Sequence, residues 1–423
     1  MNLTITSDTL KHTDTSLTQM SDEETPLKTN KVLMTTGFTR MFGDSLNNRF
    51  NNLLVAAAGA TVNQMGFLQG AKSLSANLTQ LAFGRLSDRY GKKYFISAGR
   101  ILNAGAIAAL LLTNSPERLI WLVILSSFFN GVSIPSWNSL LGDYTDEHNR
   151  GTVIGAINSI SQLGSFFAMI IAFLISINQV GETTTANYAI VLGIAAAASL
   201  ISGVLIWFTE EKPPRKTSRD INIRELIRDP RLTRYLLLNF MYGAGMSFAW
   251  PLFPMVITHR LHMKIWQIST LSLTSSLVST LSQRRLGSIM DSLGRRPIIV
   301  MSRITMAVAP ITYALATEWW HIAVGEFFLG FGMAAWMSSE STYIIDLAPG
   351  ELRATYLASS TAAFGVASFI GSNLGGYIIE TYFAGLAGLN NGLFLSGALR
   401  VLFGLAYLSA YESRKPETKP ADN

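Results

Sequence analysis

A chain of 423 residues that is 49% hydrophobic, 14% charged and free of cysteine has too little polar side chain to coat a soluble globule of its size. The missing thiols exclude disulfides, thiolate catalysis and thiolate metal sites. A formal charge of +6 would suggest nucleic acid in a soluble protein, but here the placement of the charge says more than its sum.

Residues 1–33 are rich in Ser, Thr, Asp, Glu and Lys, with no apolar signal core, and read as a disordered tail. Apolar blocks near twenty residues long follow, such as 189–208 and 298–316. About twenty helical residues cross a hydrocarbon core roughly 30 Å thick. Hydropathy predicts about twelve spans, near 34–58, 65–87, 94–113, 118–141, 152–176, 187–208, 233–257, 266–289, 298–316, 319–345, 354–379 and 387–410. The expected fold is an all-α polytopic membrane protein, with six-helix bundles over 34–209 and 233–411. A basic linker joins them at 210–232, and 412–423 forms a second tail. Within the linker, "DINIRELIRDPR" has the pattern of a short amphipathic helix at the membrane surface.

Two motifs repeat at one spacing. Gly84, Asp88, Gly91, Lys92 and Lys93 of "GRLSDRYGKK" lie 203 residues before Gly287, Asp291, Gly294, Arg295 and Arg296 of "GSIMDSLGRRP". Asp143 and Arg150 precede Asp346 and Arg353 by the same interval, so the chain reads as two similar halves. Basic residues gather in alternate loops, at Arg89, Lys92, Lys93, Arg150, the linker, Arg295, Arg296, Arg353 and the last tail. The opposite loops hold little beyond Arg118, Arg260 and Lys264. The positive-inside rule then puts both termini in the cytoplasm of a multi-pass plasma (inner) membrane protein.

The pattern G-x-x-x-D-x-x-G-[RK]-[RK], present after the second and eighth spans, resembles the signature loop of the major facilitator superfamily. The resemblance runs from about residue 34 to near the end of the chain. It implies two bundles rocking around a central cavity, and a loop that latches one state by setting its cations against the acid end of the fourth helix. Asp143 occupies that position, so an Arg89–Asp143 or Lys92–Asp143 contact is expected. The alternative is that these charges only set topology. Two features depart from the drug/proton antiporter branch. The fourth span has Asn130 and no arginine, and the fifth keeps Gly155 and Gly164 without the branch's proline.

Ionisable residues inside spans are costly and mark cavities, relays or internal pairs. The first span carries Arg40, Asp44, Asn47, Asn48, Arg49, Asn51 and Asn52. Asp44, Asn48, Asn51 and Asn52 recur at helical spacing as a polar stripe, expected to line a water-filled cavity. Arg40 and Asp44, four apart, are placed to pair, whereas Arg49 has no acid within a turn and is expected to serve the substrate or the cavity. Lys72 and Glu326 are also intramembrane. Glu340 is expected to face Arg284 or Arg285. Glu326, with no cation near it in sequence, and Asp44 are the two candidates for binding and release of a proton, the alternative for each being a hydrogen-bonded acid inside its bundle. Trp137, Asn138, Trp250 and Trp336 offer aromatic and polar surface to the cavity. Pro251 and Pro254 of "WPLFP" should break the seventh span.

No phosphate-binding loop and no catalytic constellation are present in the sequence. The expected function is secondary active transport of a small molecule by alternating access, driven by protons and directed to efflux. The competing reading is a symporter or uniporter for a polar or anionic metabolite, and a non-transporting membrane sensor is a third. The expected partners are the solute, a coupling proton and the lipid bilayer, with no nucleic acid, cofactor or metal, and the protein is expected to be a monomer.

Overall fold

The computed structural model describes residues 26–144, 150–179, 183–211, 229–349, 352–383 and 385–412, and among them there are twelve long helices and no strand. The first six are α1 (Pro26–Ala57), α2 (Val62–Tyr90), α3 (Lys92–Leu110), α4 (Pro116–Asp143), α5 (Arg150–Ser176) and α6 (Thr185–Leu205). The second six are α7 (Pro230–Arg260), α8 (Ile265–Leu293), α9 (Arg295–Leu315), α10 (Trp319–Leu347), α11 (Arg353–Tyr382) and α12 (Gly385–Ala406).

Eight of these helices are long and apolar enough to cross a membrane by length and composition; α1, α2, α3 and α8 are more polar. In α8 the hydroxyls of Thr270, Ser272 and Thr274 donate to the carbonyls of Trp266, Ile268 and Thr270, at 2.8, 3.1 and 3.0 Å. A serine or threonine that bonds its own preceding turn costs little in an apolar setting. Local sequence also sets the helix starts. Thr61 and Gln64 form a reciprocal capping box on α2, and the Asp229 side chain accepts from the Arg231 N–H at 2.9 Å on α7.

Two expected boundaries move. Residues 26–33 belong to α1, not to a tail, and 230–232 belong to α7, not to the linker. Residues 1–25 and 413–423, and most of the expected surface helix, lie outside the described residues.

Within the first bundle α1 packs on α5 and α6, and α4 on α2 and α3; in the second, α7 packs on α11, α8 on α10, and α9 on α10 and α12. The bundles meet along α2–α11 and α5–α8. Glycines let α2 and α11 approach closely. A methyl on Gly66 would stand 2.6 Å from the Ser372 carbonyl, and one on Gly376 would stand 2.8 Å from the Val62 carbonyl.

The end of the molecule carrying the repeated loops at Gly91 and Gly294 is here the signature end, and the opposite one the far end. At the far end the Asn63 N–H donates to Glu380 at 2.6 Å, and the His259 ring meets the Ala56 carbonyl at 3.1 Å. Thr183 donates to the Met263 carbonyl at 3.3 Å, and the Phe173 and Trp266 rings pack edge-on. These contacts between bundles all lie between the midplane and the far end.

Two helices are interrupted. Regular α-helix in α7 stops at Ser247, resumes at Leu252–Met255 and ends in a π-helical turn at Val256–Arg260, matching the expectation from Pro251 and Pro254. The span expected to run unbroken over 298–316 is divided too, into Arg295–Thr305 and Val308–Leu315. Pro310 explains this break: it has no N–H for the Met306 carbonyl four residues back.

The α2–α11 contact should tolerate no branched side chain. Gly66→Val is expected to cost about 1–3 kcal/mol, read as a lowered unfolding midpoint of the purified protein. Alanine at the exposed face of α2, for example Leu78→Ala, should leave the midpoint within a degree or two.

Candidate functional site

In the first bundle the organising group is Arg100 of α3, which is completely buried. It donates to Asp44 Oδ1 at 2.6 Å, Ser202 Oγ at 3.0 Å, Asn130 Oδ1 at 3.1 Å and the Arg40 carbonyl at 3.3 Å. One planar fork of donors therefore ties α3 to α1, α4 and α6. The expected Arg40–Asp44 pair is replaced by Arg100–Asp44, and Arg40 instead lies over the Trp137 ring, 5.0 Å from its centroid. Trp137 is 1% exposed and packs with Leu33, Leu140 and Ile157, so it supports Arg40 from below and presents no open surface to a cavity. Asn130, noted in sequence as standing where antiporters carry an arginine, is met by a guanidinium from the neighbouring helix.

The polar stripe of α1 divides. Asp44, Asn47 and Asn51 are buried against protein, whereas Asn48 is exposed and Asn52 half-buried. The buried face belongs to a run of hydrogen bonds in one direction. Lys72 Nζ donates to Asn51 (3.1 Å), Asn51 to Asn47 (3.4 Å), Asn47 to Ser126 (3.1 Å) and Ser126 to Asn103 (2.6 Å). Asn103 then donates to Ser199 (3.2 Å), and Ser199 to the Arg100 carbonyl (2.9 Å). Such a chain polarises cooperatively, and it removes the need for water along that face. Lys72 has a second acceptor in Asn52 at 3.4 Å, and no carboxylate among the described residues is its partner.

Arg49 and Glu326, which had no partner near them in sequence, find each other across the bundle boundary. Arg49 Nη2 of α1 donates to Glu326 Oε1 of α10 at 3.3 Å, and the Tyr313 hydroxyl of α9 donates to the same oxygen at 3.2 Å. The Glu326 side chain is 3% exposed and that of Arg49 27%, so the pair is held largely out of solvent with one side open.

The second bundle has its own arginine centre. Arg303 of α9, wholly buried, donates to Glu340 at 3.5 Å, with its guanidinium over the rings of Tyr242, Trp336 and Tyr407 at 4.6, 4.8 and 5.3 Å. Ser360 Oγ also donates to Glu340, at 3.2 Å. Of the two arginines expected to face Glu340, Arg285 is exposed and the side chain of Arg284 lies outside the described residues; the described partner is Arg303. Trp336 is part of this cluster, and Trp250 packs on the same Phe364 ring that Trp336 touches. Sequence reasoning missed Arg100 and Arg303, although a signal was present: Arg303 stands 203 residues after Arg100, the interval of the signature motifs. Both arginines also rest against a glycine, Gly203 and Gly404, where a methyl would come within 3.0 Å of their Cβ atoms.

At the signature loops Lys92 is hydrogen-bonded and paired to Asp143, and Arg295 Nε meets Asp346 Oδ2 at 3.1 Å. Of the two expected contacts this is the lysine one; Arg89 is exposed and lies over the Tyr90 ring. Both pairs join the loop to α4 or α10 of its own bundle, so neither bridges the two halves. Gly91 and Gly294 turn the chain with φ of +108° and +93°, a region that L side chains rarely adopt. A further pair was not foreseen. Glu211, after α6, accepts from the Lys92 N–H, and Glu412, after α12, accepts from the N–H groups of Arg295 (2.9 Å) and Arg296 (3.2 Å). Each carboxylate thus caps the positive N-terminus of α3 or α9. Lys93 follows Lys92 half-buried, and Arg353 opens α11 exposed. Gly84 and Gly287 lie within α2 and α8, and the side chains of Asp88, Asp291 and Arg150 lie outside the described residues.

Twelve helices in two repeated bundles, with ion pairs buried inside each and between them, define a polytopic membrane transporter. The Major Facilitator Superfamily model matches residues 33–238 and 235–423, and the chain belongs to that family. It is 22% identical over 275 residues to the MFS-type transporter MJ1560 of Methanocaldococcus jannaschii, covering 64% of this chain and 70% of that one. It is also 22% identical over 368 residues to the inner membrane transport protein YajR of Escherichia coli, covering 82% and 74%. In shape it resembles the crystal structure of the nucleoside transporter NupG (D323A mutant), with a TM-score of 0.75 at 13% identity over 90% of this chain and 100% of that one.

Removing one member of the Arg100–Asp44 pair leaves a buried charge unpaired. Arg100→Ala is expected to destabilise the protein by about 3–5 kcal/mol, seen in thermal unfolding. Arg100→Met with Asp44→Leu should recover much of the loss, because it removes both charges together.

Proposed function

We propose that the protein is a secondary active transporter in which a proton and a small anionic solute compete for the charges at the boundary between the bundles. The observation that carries this is the Arg49–Glu326 pair, which joins the two moving bodies. Protonation of Glu326 cancels its charge, releases Arg49 and lets the bundles part at the far end. A carboxylate or phosphate on the solute then takes the acid's place beside Arg49. The inter-bundle contacts at the far end support a state whose cavity opens towards the signature end. By the positive-inside rule that end faces the cytoplasm, with both termini inside and the protein in the plasma (inner) membrane.

The charge balance supports an anionic cargo over an amphipathic one. Asp44, Glu326 and Glu340 each have a cation, whereas Lys72 and Arg40 have no ion-pair partner among the described residues. A surplus of positive charge held inside the span is favourable when an anion arrives to complement it. On this reading the signature pairs Lys92–Asp143 and Arg295–Asp346 keep each bundle rigid as it rocks, and a monomer is sufficient for the cycle.

Purified protein in liposomes with an imposed pH gradient tests the proposal, using labelled small carboxylates and phosphate esters alongside cationic amphiphiles. Accumulation of an anionic compound that follows the gradient is expected. Glu326→Gln should abolish the response to the gradient while retaining solute exchange at equal pH. Gradient-dependent transport by Glu326→Gln at the wild-type level would falsify the role of that acid, and accumulation of cationic amphiphiles alone would favour the exporter reading. Lys72→Gln is expected to weaken binding of the transported anion roughly tenfold or more, the worth of about 1.5–3 kcal/mol for a charged hydrogen bond, as measured by the anion's effect on the unfolding midpoint.

A further inference from the structure

Arg400 of α12 is buried, carries a full charge, and has no carboxylate partner among the described residues; both its bonds go to backbone. Nη1 donates to the Met306 carbonyl at 2.8 Å and Nη2 to the Met246 carbonyl at 2.9 Å. These two carbonyls belong to the two interrupted helices. Met246 is in the last turn of the first segment of α7, and Met306 directly follows the first segment of α9. Met306 is also the residue whose carbonyl Pro310 cannot serve. One turn before Arg400, Ser396 Oγ donates to the Gly245 carbonyl at 2.9 Å, so a third carbonyl at the α7 break is met from α12. Helix C-termini carry partial negative charge and unsatisfied carbonyls, and a guanidinium answers both at once.

We propose that Arg400 is a positioning residue for the transport cycle: it clasps the breaks of α7 and α9 to each other and so sets where the far half of α9 points. That far half carries Tyr313. The Phe253 ring of α7 lies beneath the Arg400 guanidinium at 5.9 Å and packs edge-on against Tyr313 at 4.6 Å. Tyr313 in turn donates to Glu326, the acid paired with Arg49. At its other end the same half-helix is held by Arg260, which donates to the Tyr313 carbonyl and to Asn390 at 2.5 Å. Among the described residues the device has no counterpart in the first bundle. The residue 203 positions before Arg400 is Ala197, and α1 and α3, the counterparts of α7 and α9, run without interruption. Breaks and clasp therefore occur together in one half of a duplicated chain. The inference rests on the reading of Arg49–Glu326 as the contact that closes the far end.

The absence of native cysteine allows spin labels at Leu112→Cys and Leu315→Cys, two exposed far-end positions on opposite bundles, in the reconstituted full chain. In the parent protein the electron–electron distance distribution should show one dominant short population. Arg400→Gln is expected to move roughly half of it or more to longer distances, and Arg400→Lys, which keeps a cation able to reach carbonyl oxygens, to restore most of it. Tyr313→Phe should shift the distribution in the same direction, and the double variant should go no further than the larger single shift. An unmoved distribution in Arg400→Gln, or shifts that add in the double variant, would overturn the proposal. Should Arg400→Gln not fold, Ser396→Ala gives the same measurement, with a smaller shift expected and none counting against the clasp. Glu326→Gln separates the two ideas. If it moves the distribution and Arg400→Gln does not, only the clasp fails. If it does not move the distribution, the gate reading fails, and an Arg400 shift without a Glu326 shift overturns the route through Tyr313.

Discussion

A guanidinium within an apolar slab can take its hydrogen bonds only from protein, and this structure is arranged around where four of them find acceptors. Arg100 gathers α1, α4 and α6 around itself; Arg303 does the same for α7, α10 and the turn after α12 through one carboxylate and three aromatic faces. Arg400 takes the carbonyls that two broken helices leave free. Only Arg49 reaches across to the other bundle. Three of these groups make each half a body, and the fourth makes contact between bodies. Because an unmet charge costs several kcal/mol in such surroundings, the internal sets resist change, and on the proposed reading the one at the boundary is where motion and chemistry are coupled.

The duplication is close where it builds the frame and absent where it builds the site. Lys92–Asp143 and Arg295–Asp346, the caps Glu211 and Glu412, and the glycine-backed arginines Arg100 and Arg303 recur in both halves. All of them bind helices of one bundle to each other. Lys72 with its asparagine run, Arg40 on Trp137, and the paired breaks under Arg400 each occur once among the described residues. A symmetric pair of rigid bodies with unlike linings suits a machine whose motion is general and whose cargo is particular.

Much of the frame was legible in sequence, since apolar runs of helical length, Gly-bracketed cation clusters and a constant 203-residue interval are all local or periodic signals. The proline pair of α7 announced its break. Pro310 carried equal information for α9, but lies in so apolar a run that the span reads as continuous. The site was legible only as a list of costly residues. Asp44 and Arg40 stand at a spacing that favours pairing, yet Arg100 offers Asp44 a better fork from another helix. Glu340 has Arg285 on the neighbouring α8, yet Arg303 of α9 pairs with it. The asparagine stripe was read as wet because nothing local could satisfy it; its buried face at Asn47 and Asn51 is instead met through Ser126, Asn103 and Ser199 of α4, α3 and α6, while Asn48 stays exposed.

By itself, then, the sequence determined that this is a duplicated all-helical membrane protein of a transporter family, because hydropathy, helix length and loop chemistry are properties of short stretches. Which charges meet was decided only by the tertiary structure. A partner in a membrane bundle depends on the rotation of each helix about its axis and on which neighbours the small residues let approach, and neither is encoded within a single turn. The pairing of Arg49 with Glu326, separated by 277 residues, is the clearest instance. Each residue was conspicuous alone, and only their meeting across the boundary gives either one something to do.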